Sequence, residues 1–148
     1  MWTDGQSSLL FYEFLALCHG GKFITIDNDN VALETCKEAL AEQVHHTDKV
    51  ELQFIHGNSV EELEKINKKV DLLYLDSFDF DTQNPQPSMV HHLKELTSAR
   101  NVISKSDGLI ISIDDNFDTF GKGKYVAEWA QETGKEIIHD GYQIVFRI

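Results

Sequence analysis

The sequence is poor in cysteine, proline and basic residues, and it contains no long apolar run. Its two cysteines, Cys18 and Cys36, fit neither a CxxC nor a zinc spacing, so we interpret them as buried thiols in a reducing cytoplasm. No apolar stretch approaches the roughly 20 residues that span a bilayer, and no secretory signal pattern is present. These absences argue against a disulfide scaffold, a zinc finger and a membrane partner, and they predict a cytoplasmic protein.

Basic residues are scarce relative to acidic ones: 13 Lys and Arg face 25 Asp and Glu, which gives a net charge of −12. Binding to a phosphate backbone needs clustered cations, so a nucleic-acid partner is disfavoured and a small-molecule partner is favoured by elimination. The acidity is also compatible with a purely solubilising role. A length of 148 residues predicts a single domain, residues 1–148.

Helical and strand patterns alternate along the chain with short connections. Strands are predicted at 23–26, 50–55, 70–75 and 109–113, with a loop at 77–87. The first predicted helix runs through 9–15, with Ser7 and Ser8 as its cap and Gly20-Gly21 as its end; the others are at 30–44, 59–67, 91–102 and 124–132. The first helix is apolar enough on several sides to be buried. The runs at 70–75 and 109–113 are typical of central strands covered on both faces. This alternation predicts an α/β fold, a three-layer Rossmann-like sandwich around a mostly parallel sheet.

The last fifteen residues follow a different pattern. Two further strands, 136–139 and 142–146, flank Asp140-Gly141, the residue pair that favours a two-residue type I′ turn. The sheet is therefore predicted to end in a C-terminal antiparallel hairpin. This feature differs from the usual dinucleotide dehydrogenase, whose sheet is ordinarily parallel throughout.

Polar residues follow four consecutive predicted strands. They are Asp27, the segment His56–Ser59, the segment Asp76–Asp79, and the segment Asp114–Asn116. Ligands of open α/β sheets bind beyond the carboxyl ends of the strands, so we expect a site there. In particular, we expect the carboxylates of Asp27, Asp76 and Asp114 to lie along one rim of a single sheet.

Three of these positions suit a nucleotide-like cofactor. Asp27 can accept both hydroxyl groups of a ribose, as in NAD or S-adenosylmethionine (SAM), or it can form a turn that caps the next helix. Asn58 and Ser59 could meet an adenine edge or simply cap a helix. Gly5 and Ser7 precede a helix whose amides favour an anion, although an ordinary N-cap explains them as well.

The aspartates at the ends of the third and fourth strands are the most unusual set. They are Asp76, Asp79, Asp81, Asp114 and Asp115. Like charges this close repel one another. A divalent cation such as Mg²⁺ is one solution, and protonation or separation by solvent is the other. At the start of the next helix, His91 or His92 could act as a general base, or could be structural.

Six segments, in the correct order over nearly the whole chain, resemble known enzymes. Three of them resemble class I SAM-dependent methyltransferases: Ser7–Tyr12, Gly21–Asp27 and His56–Ser59. The other three resemble one branch of that class, the small-molecule O-methyltransferases of the macrocin and cephalosporin-biosynthesis type: Asp71–Ser77, Ile113–Asn116 and Gly121–Val126.

The resemblance implies a role for each candidate. Asp27 would bind the SAM ribose, Asn58 or Ser59 would lie near adenine, and Gly5 and Ser7 would lie by the methionine moiety. In some members of that branch aspartates at these strand ends hold a divalent metal, which implies Asp76, Asp79, Asp114 and Asp115 as ligands. Apart from the resemblance, we assign Asp76 to cofactor binding as well, and Asp76 and His91 to catalysis. The implied reaction is methyl transfer to a hydroxyl of a small molecule.

The sequence departs from the family pattern at its start. Only Met1–Asp4 precedes Gly5, and Thr3 stands where the first glycine of the loop is expected. The first strand, normally central, is therefore expected to be missing. The chain would then be a fragment, or a non-catalytic Rossmann-like nucleotide-binding or interaction domain that has lost activity. An NAD oxidoreductase is disfavoured because GxGxxG is absent. An exposed sheet edge would favour pairing with a second copy.

Overall fold

The computed structural model describes residues 6–42, 48–117 and 120–148. Within it the chain divides into two compact units, residues 1–59 and residues 60–148. The single domain expected for residues 1–148 stays a prediction, and the expected glycine loop at Thr3 and Gly5 lies outside the described residues.

The first unit contains a parallel strand pair and two long helices. Its elements are α1 (Gln6–Leu17), β1 (Gly21–Asp27), α2 (Asn30–Ala41) and β2 (Val50–His56). The strands pair in parallel, with Gly21 beside Val50 and Asp27 beside His56. These elements confirm the two strands and two helices predicted for this region. The predicted end of the second helix, near Val44, lies outside the described residues.

The core of the first unit is small. It consists of Tyr12, Cys36, Leu40 and Val50, with Leu9, Leu15, Ala16, Phe23, Leu52 and Phe54 packed against them. The expectation that α1 is buried on several sides was wrong, because Leu10, Phe14 and Leu17 are 60–64% exposed. Their spacing of four and three residues places them on one face of the helix, opposite the buried side.

The two cysteines differ in exposure. Cys36 is buried in this core, as predicted, whereas Cys18 is exposed. The interpretation of Cys18 as a buried thiol was therefore wrong. Cys18 follows the last residue of α1, where the chain leaves the helix. Burial raises the pKa of the Cys36 thiol. A hydrogen bond with Ser8 acts to lower this pKa but does not outweigh burial.

The second unit is built on a four-stranded sheet. Its elements are β3 (Leu72–Leu75), α4 (Gln86–Ser98), α5 (Arg100–Lys105), β4 (Ile110–Ile113), β5 (Asn116–Phe117), β6 (Phe120–Gly121), α6 (Lys124–Glu132), β7 (Glu136–Asp140) and β8 (Ile144–Arg147). A further helix, α3 (Ser59–Lys65), begins at the boundary between the units. The strand order is β3-β4-β8-β7, and β5 and β6 form a separate two-stranded sheet.

The expected mostly parallel sheet requires correction. In the four-stranded sheet β3 and β4 are parallel, but β8 lies antiparallel to both β4 and β7. The sheet is mixed because the C-terminal hairpin, whose existence is confirmed, supplies two of its four strands. The mixed α/β character agrees with the prediction, and the three-layer arrangement stays a prediction.

The predicted two-residue turn at Asp140-Gly141 was wrong. Asp140 pairs with Ile144, so residues 141–143 form the connection, and a bulge lies between Ile137 and His139. A residue outside the hairpin holds this loop, because the carbonyl of Tyr142 accepts a hydrogen bond from the backbone amide of Asn116 at 2.9 Å. A tertiary contact therefore outweighs the local turn preference of the dipeptide.

Two other boundaries differ from the sequence predictions. The loop predicted to extend to Pro87 ends earlier, since α4 begins at Gln86 and accommodates Pro87 in its first turn, where no intrahelical amide donor is needed. The predicted central position of the third strand was also wrong. Strand β3 lies at the edge of the four-stranded sheet, with Leu72 42% exposed, whereas β4 is central and buries Ile111 and Ile113.

Among the described residues, no helix combines the length and apolarity required to cross a membrane.

Candidate functional site

Polar residues meet where β1 and β2 end in the first unit. The parallel register places Asp27 beside His56, and the Gly57 amide donates to the Asp27 carbonyl at 2.9 Å. Asp27 and the segment His56–Ser59 therefore share one strand end, as the sequence predicted for this pair. Asn58 is exposed, while Ser59 is half-buried and opens α3.

The Asp27 carboxylate takes part in a tight local turn. Its Oδ1 accepts the Asp29 amide at 2.8 Å, and the Asp29 carboxylate in turn accepts the Val31 amide at 2.8 Å and caps α2. The turn-forming role of Asp27 is thus present, and the cap belongs to Asp29. A carboxylate has two oxygens with several acceptor positions, so this geometry is compatible with a ribose contact at Asp27.

Sequence reasoning missed one contact at this end. His56 Nε2 lies 3.1 Å from the Asn28 carbonyl oxygen and links the loops that follow β1 and β2. Of the residues assigned to the methionine moiety, Ser7 lies half-buried inside the first turn of α1, because the helix already begins at Gln6. Gly5 lies outside the described residues.

In the second unit, the ends of β3 and β4 form an acidic rim. The parallel register aligns Leu75 with Ile113, so Asp76 and Asp114 leave the sheet from neighbouring strands, as predicted. We use the name acidic rim for Asp76, Asp114 and Asp115. Asp27 belongs to the other unit, so the expectation that Asp27 shares a rim with Asp76 and Asp114 stays a prediction.

A buried lysine neutralises part of the charge of this rim. Lys122 is only 3% exposed, and its Nζ lies 2.7 Å from Asp76 Oδ1 and 2.9 Å from Asp115 Oδ2. The lysine ammonium therefore reduces the repulsion between the aspartates, in a way that differs from metal binding and from protonation. Sequence reasoning gave Lys122 no role, because it lies 46 residues from Asp76 and follows a two-residue strand that the pattern did not reveal.

Asp114 and Asp115 have further protein partners. Asp114 Oδ2 accepts the Tyr74 hydroxyl at 2.6 Å and Asp114 Oδ1 accepts the Asp115 amide at 2.9 Å, while Asp115 also accepts the Tyr142 hydroxyl. The aspartates of the preceding loop differ. Asp79 is exposed, and Asp81 accepts the Gln83 amide in a local turn.

This donor set does not fit the divalent cation that the resemblance implies at Asp76, Asp79, Asp114 and Asp115. Mg²⁺ requires about six oxygen ligands in near-octahedral geometry. The Lys122 ammonium lies instead between Asp76 and Asp115. In residues 6–42, 48–117 and 120–148, no group of three or more His, Cys, Asp or Glu side chains is arranged to hold a metal.

The two carboxylates that contact Lys122 have opposite pKa shifts. Burial raises the pKa of Asp76, assisted by the neighbouring Asp114 and Asp115 charges and opposed by Lys122. Burial also acts to raise the pKa of Asp115, but hydrogen bonds from Tyr142 and Lys122 outweigh it and lower that pKa. Burial opposes the charge on Lys122, yet its two carboxylate partners raise its pKa overall, so the ammonium is kept charged.

Asn116 fixes the segment that carries Lys122. Its buried amide donates to the carbonyls of Ile113 and Asp114 at 2.9 and 3.0 Å and accepts the Gly123 amide at 2.7 Å. A Cβ on Gly121 would lie 2.4 Å from Asn116 Cα, and a Cβ on Gly123 would lie 2.8 Å from Asn116 Oδ1. Glycine on both sides therefore allows the close approach that sets Lys122 against the rim.

The two histidines of α4 are not equivalent. His92 is fully buried, and its Nδ1 lies 2.8 Å from the Ser88 carbonyl, which indicates a structural role. The His91 side chain is 19% exposed, and its Nε2 lies 3.5 Å from Glu95 Oε1, which also accepts the Ser77 hydroxyl at 2.5 Å. His91 is thus the more accessible of the pair, and its assignment as a general base stays a prediction.

A cavity of about 450 Å³ opens beside the rim. Its lining residues are Asn116, Phe117, Asp140, Gly141 and Tyr142. Tyr142 links this cavity to the rim, because its hydroxyl donates to Asp115. Its ring also packs edge-on against Phe117 at a centroid distance of 5.6 Å. The second unit therefore offers an aromatic recess next to partly neutralised carboxylates.

Comparison with known proteins rests on structure. No family model and no curated protein matches the sequence. Fifteen solved chains match the fold, among them a proposed methyltransferase from Streptococcus mutans in complex with SAH, S-adenosylhomocysteine. That match has 10% sequence identity and a TM-score of 0.54, and it covers 99% of each chain. At such an identity the likeness shows the fold alone, a mixed α/β fold of methyltransferase type.

Proposed function

We propose that this protein is a SAM-dependent methyltransferase that methylates a hydroxyl group of a small molecule. The observation that carries the proposal is the fold match over 99% of both chains with a protein solved in complex with SAH. The order of strands and polar strand ends along the sequence supports the same reading. The proposal places the protein in the cytoplasm and gives it a Rossmann-like three-layer architecture.

In this proposal the end of β1 and β2 holds the nucleoside of the cofactor. The Asp27 carboxylate accepts the ribose hydroxyls, and Asn58 and Ser59, across the strand pair, lie near the adenine. Ser7 and Gly5 belong near the methionine moiety, and Asp76 is assigned to cofactor binding as well. When bound, SAM supplies a methyl group activated by a positively charged sulfur, and transfer to oxygen leaves an uncharged thioether.

The acceptor hydroxyl is assigned to the acidic rim. The Asp76 side chain is 34% exposed, so a substrate can reach it, and burial raises its pKa towards that of a better base. We assign Asp76 the role of accepting the hydroxyl proton as the new C–O bond forms. His91 is the second candidate for that role. Positioning of the acceptor supplies much of the rate enhancement for such a transfer.

The net charge supports a small molecule as the acceptor. With 25 acidic and 13 basic residues the chain repels a phosphate backbone, so we propose no nucleic-acid partner and no membrane partner. Self-association stays a prediction from sequence.

A second candidate is a non-catalytic Rossmann-like domain that binds a nucleotide or a protein partner. One observation favours it: the described strands form separate two-stranded and four-stranded sheets, with no strand hydrogen-bonded to both β1 and β3 in the described residues. In this alternative the cofactor affinity or the methyl transfer is lost, while the fold remains.

Calorimetric titration with SAH tests the proposal. We expect micromolar binding to the full chain, and loss of binding in Asp27→Ala, because the ribose hydroxyls lose their acceptor. Asp29→Ala is the matched control: it removes the neighbouring carboxylate, which caps α2, but leaves the proposed ribose ligand in place. It is expected to bind SAH as the natural chain does.

The possible outcomes separate the candidates. Absence of binding at millimolar SAH supports the non-catalytic alternative, and equal affinity of Asp27→Ala and the natural chain removes Asp27 from the site. Binding of NADH in place of SAH would instead indicate an oxidoreductase.

A further inference from the structure

We propose that the Lys122 ammonium is a built-in cation that takes the place a divalent metal would have in the acidic rim. The rim is then assembled without metal, and Lys122 acts as a positioning residue for Asp76 and Asp115. This inference goes beyond the proposed function, since it concerns the charge and geometry of the rim whichever reaction takes place there.

The geometry of the rim supports this role for Lys122. An ammonium group has three donors, and Lys122 directs two of them at Asp76 and Asp115, at 2.7 and 2.9 Å. A cation that bridged these two carboxylates would have to occupy the space between them. Lys122 Nζ already lies there, and its side chain is only 4% exposed, so the ammonium itself is largely shielded from solvent.

The backbone that carries Lys122 is also held in place. Lys122 lies between Gly121 and Gly123, and the backbone amide of Gly123 donates to the Asn116 side chain at 2.7 Å. The backbone amide of Lys122 itself donates to the Asp115 carbonyl at 3.2 Å. The segment is therefore bound to the same strand end that carries the carboxylates, which keeps the lysine side chain within reach of them.

The charge of the acidic rim supports the same role. The three carboxylates of the acidic rim and one ammonium leave a formal charge of −2, whereas removal of the ammonium leaves −3 on adjacent strand ends. A cluster of that charge either repels itself apart or binds a cation from solution. If Lys122 replaces a metal, its removal should therefore create a metal site that the natural chain lacks.

The test is to replace Lys122 by methionine, which keeps the length of the side chain but removes its charge. Thermal unfolding and calorimetric titration with MnCl₂ and MgCl₂ are measured for the natural chain, Lys122→Met and Lys124→Met. Lys124 is exposed at the start of α6 and serves as the matched control. The readouts require no SAM and no methyl acceptor.

We expect the natural chain and Lys124→Met to show no saturable metal binding and no change in melting temperature with metal or EDTA. Lys122→Met should melt at a lower temperature, recover with Mn²⁺, and bind it with a Kd of about 10⁻⁴–10⁻³ M, as weak oxygen-ligand sites do. The double variant Lys122→Met with Asp115→Asn should lose the gained metal binding.

Two results would overturn the proposal. One is saturable binding of Mn²⁺ by the natural chain at submillimolar concentration. The other is a folded Lys122→Met variant that gains no affinity for metal. If Lys122→Met does not fold alone, Mn²⁺ or the added changes Asp76→Asn and Asp115→Asn should restore folding, and failure of both would contradict the role of Lys122.

Discussion

The two strand ends of this protein are stabilised in different ways. At the end of β1 and β2 the contacts of the carboxylates are local: Asp27 accepts the Asp29 amide, and Asp29 accepts the Val31 amide. At the end of β3 and β4 they are long-range: Lys122 reaches Asp76 across 46 residues of sequence, and Tyr142 reaches Asp115 across 27. Each end presents carboxylates, but only the second encloses an opposing charge.

This difference has a functional consequence. A carboxylate held by a turn amide keeps acceptor capacity for a ligand, which suits the proposed ribose contact at Asp27. A carboxylate held by a buried ammonium is fixed in position before any ligand arrives, which suits a group that must orient a reacting hydroxyl. The comparison therefore predicts that the second end depends on distant residues for stability, whereas the first depends on neighbours.

The largest effect is expected for Asn116→Ala, which removes the buried amide that binds Ile113, Asp114 and Gly123. Loss of these bonds leaves backbone groups unsatisfied and should lower the free energy of unfolding by about 3 kcal/mol. Asn101→Ala is the control, since Asn101 makes one exposed bond to the Glu64 carbonyl. Urea denaturation measures both variants, and equal losses would refute the special role of Asn116.

A smaller loss is expected for Gly121→Ala. The added Cβ would lie 2.4 Å from Asn116 Cα, so the backbone must shift, at a cost of about 1–3 kcal/mol. Gly134→Ala is the matched control. Its φ of +68°, like the φ of +158° at Gly121, is unfavourable for alanine, but no atom lies within 4 Å of the added Cβ. Should Gly134→Ala prove the more damaging, the close approach to Asn116 would not be the constraint.

A pH-dependent effect is expected at His92. Burial lowers the pKa of His92 below the usual 6.5, and the charges of Lys122 and His91 act in the same direction. The negative charge of Glu95 acts in the opposite direction but does not outweigh burial. The unfolded chain therefore binds a proton below pH 6.5 that the folded chain does not, so stability falls as the pH drops through this range. The slope for one proton is at most about 1.4 kcal/mol per pH unit.

His92→Gln should flatten this slope between pH 7.5 and 5.5, measured by urea denaturation at each pH. Replacement of the exposed His139 by Gln should leave it unchanged. A natural chain whose stability is independent of pH in this range would contradict the assignment.

The smallest effect is expected at the local end, for Asp29→Ala. Loss of the N-cap of α2 should cost about 1 kcal/mol, because one amide at the helix start loses its acceptor. Val31→Ala, at an exposed position of the same helix, serves as the control for a change of side chain alone. A loss at Asp29 larger than that at Asn116 would reverse the comparison between the two strand ends.

The sequence predicted those features that depend on local pattern. Hydrophobic periodicity predicted the strands β1, β2 and β4 and the helix at Lys124–Glu132. The polar residues at the strand ends were visible in the sequence as well. The predicted neighbourhood of Asp76 and Asp114 follows from the parallel pairing of β3 and β4.

Features that depend on distant contacts could not be predicted in this way. Nothing in the residues around Lys122 indicates that its side chain would be buried between Asp76 and Asp115. The connection at residues 141–143 likewise departs from its local preference, because the Tyr142 carbonyl accepts the backbone amide of Asn116 in β5. Strand β3 has the apolar pattern of a central strand, yet its position at an edge is set by the pairing of the whole sheet.

The most direct test of the central claim is a crystal structure of the full chain grown with saturating SAH. The account predicts that both ribose hydroxyls lie within hydrogen-bonding distance of the Asp27 carboxylate, about 2.6–3.2 Å. SAH bound away from Asp27, or no bound SAH at a concentration that saturates known methyltransferases, would contradict it.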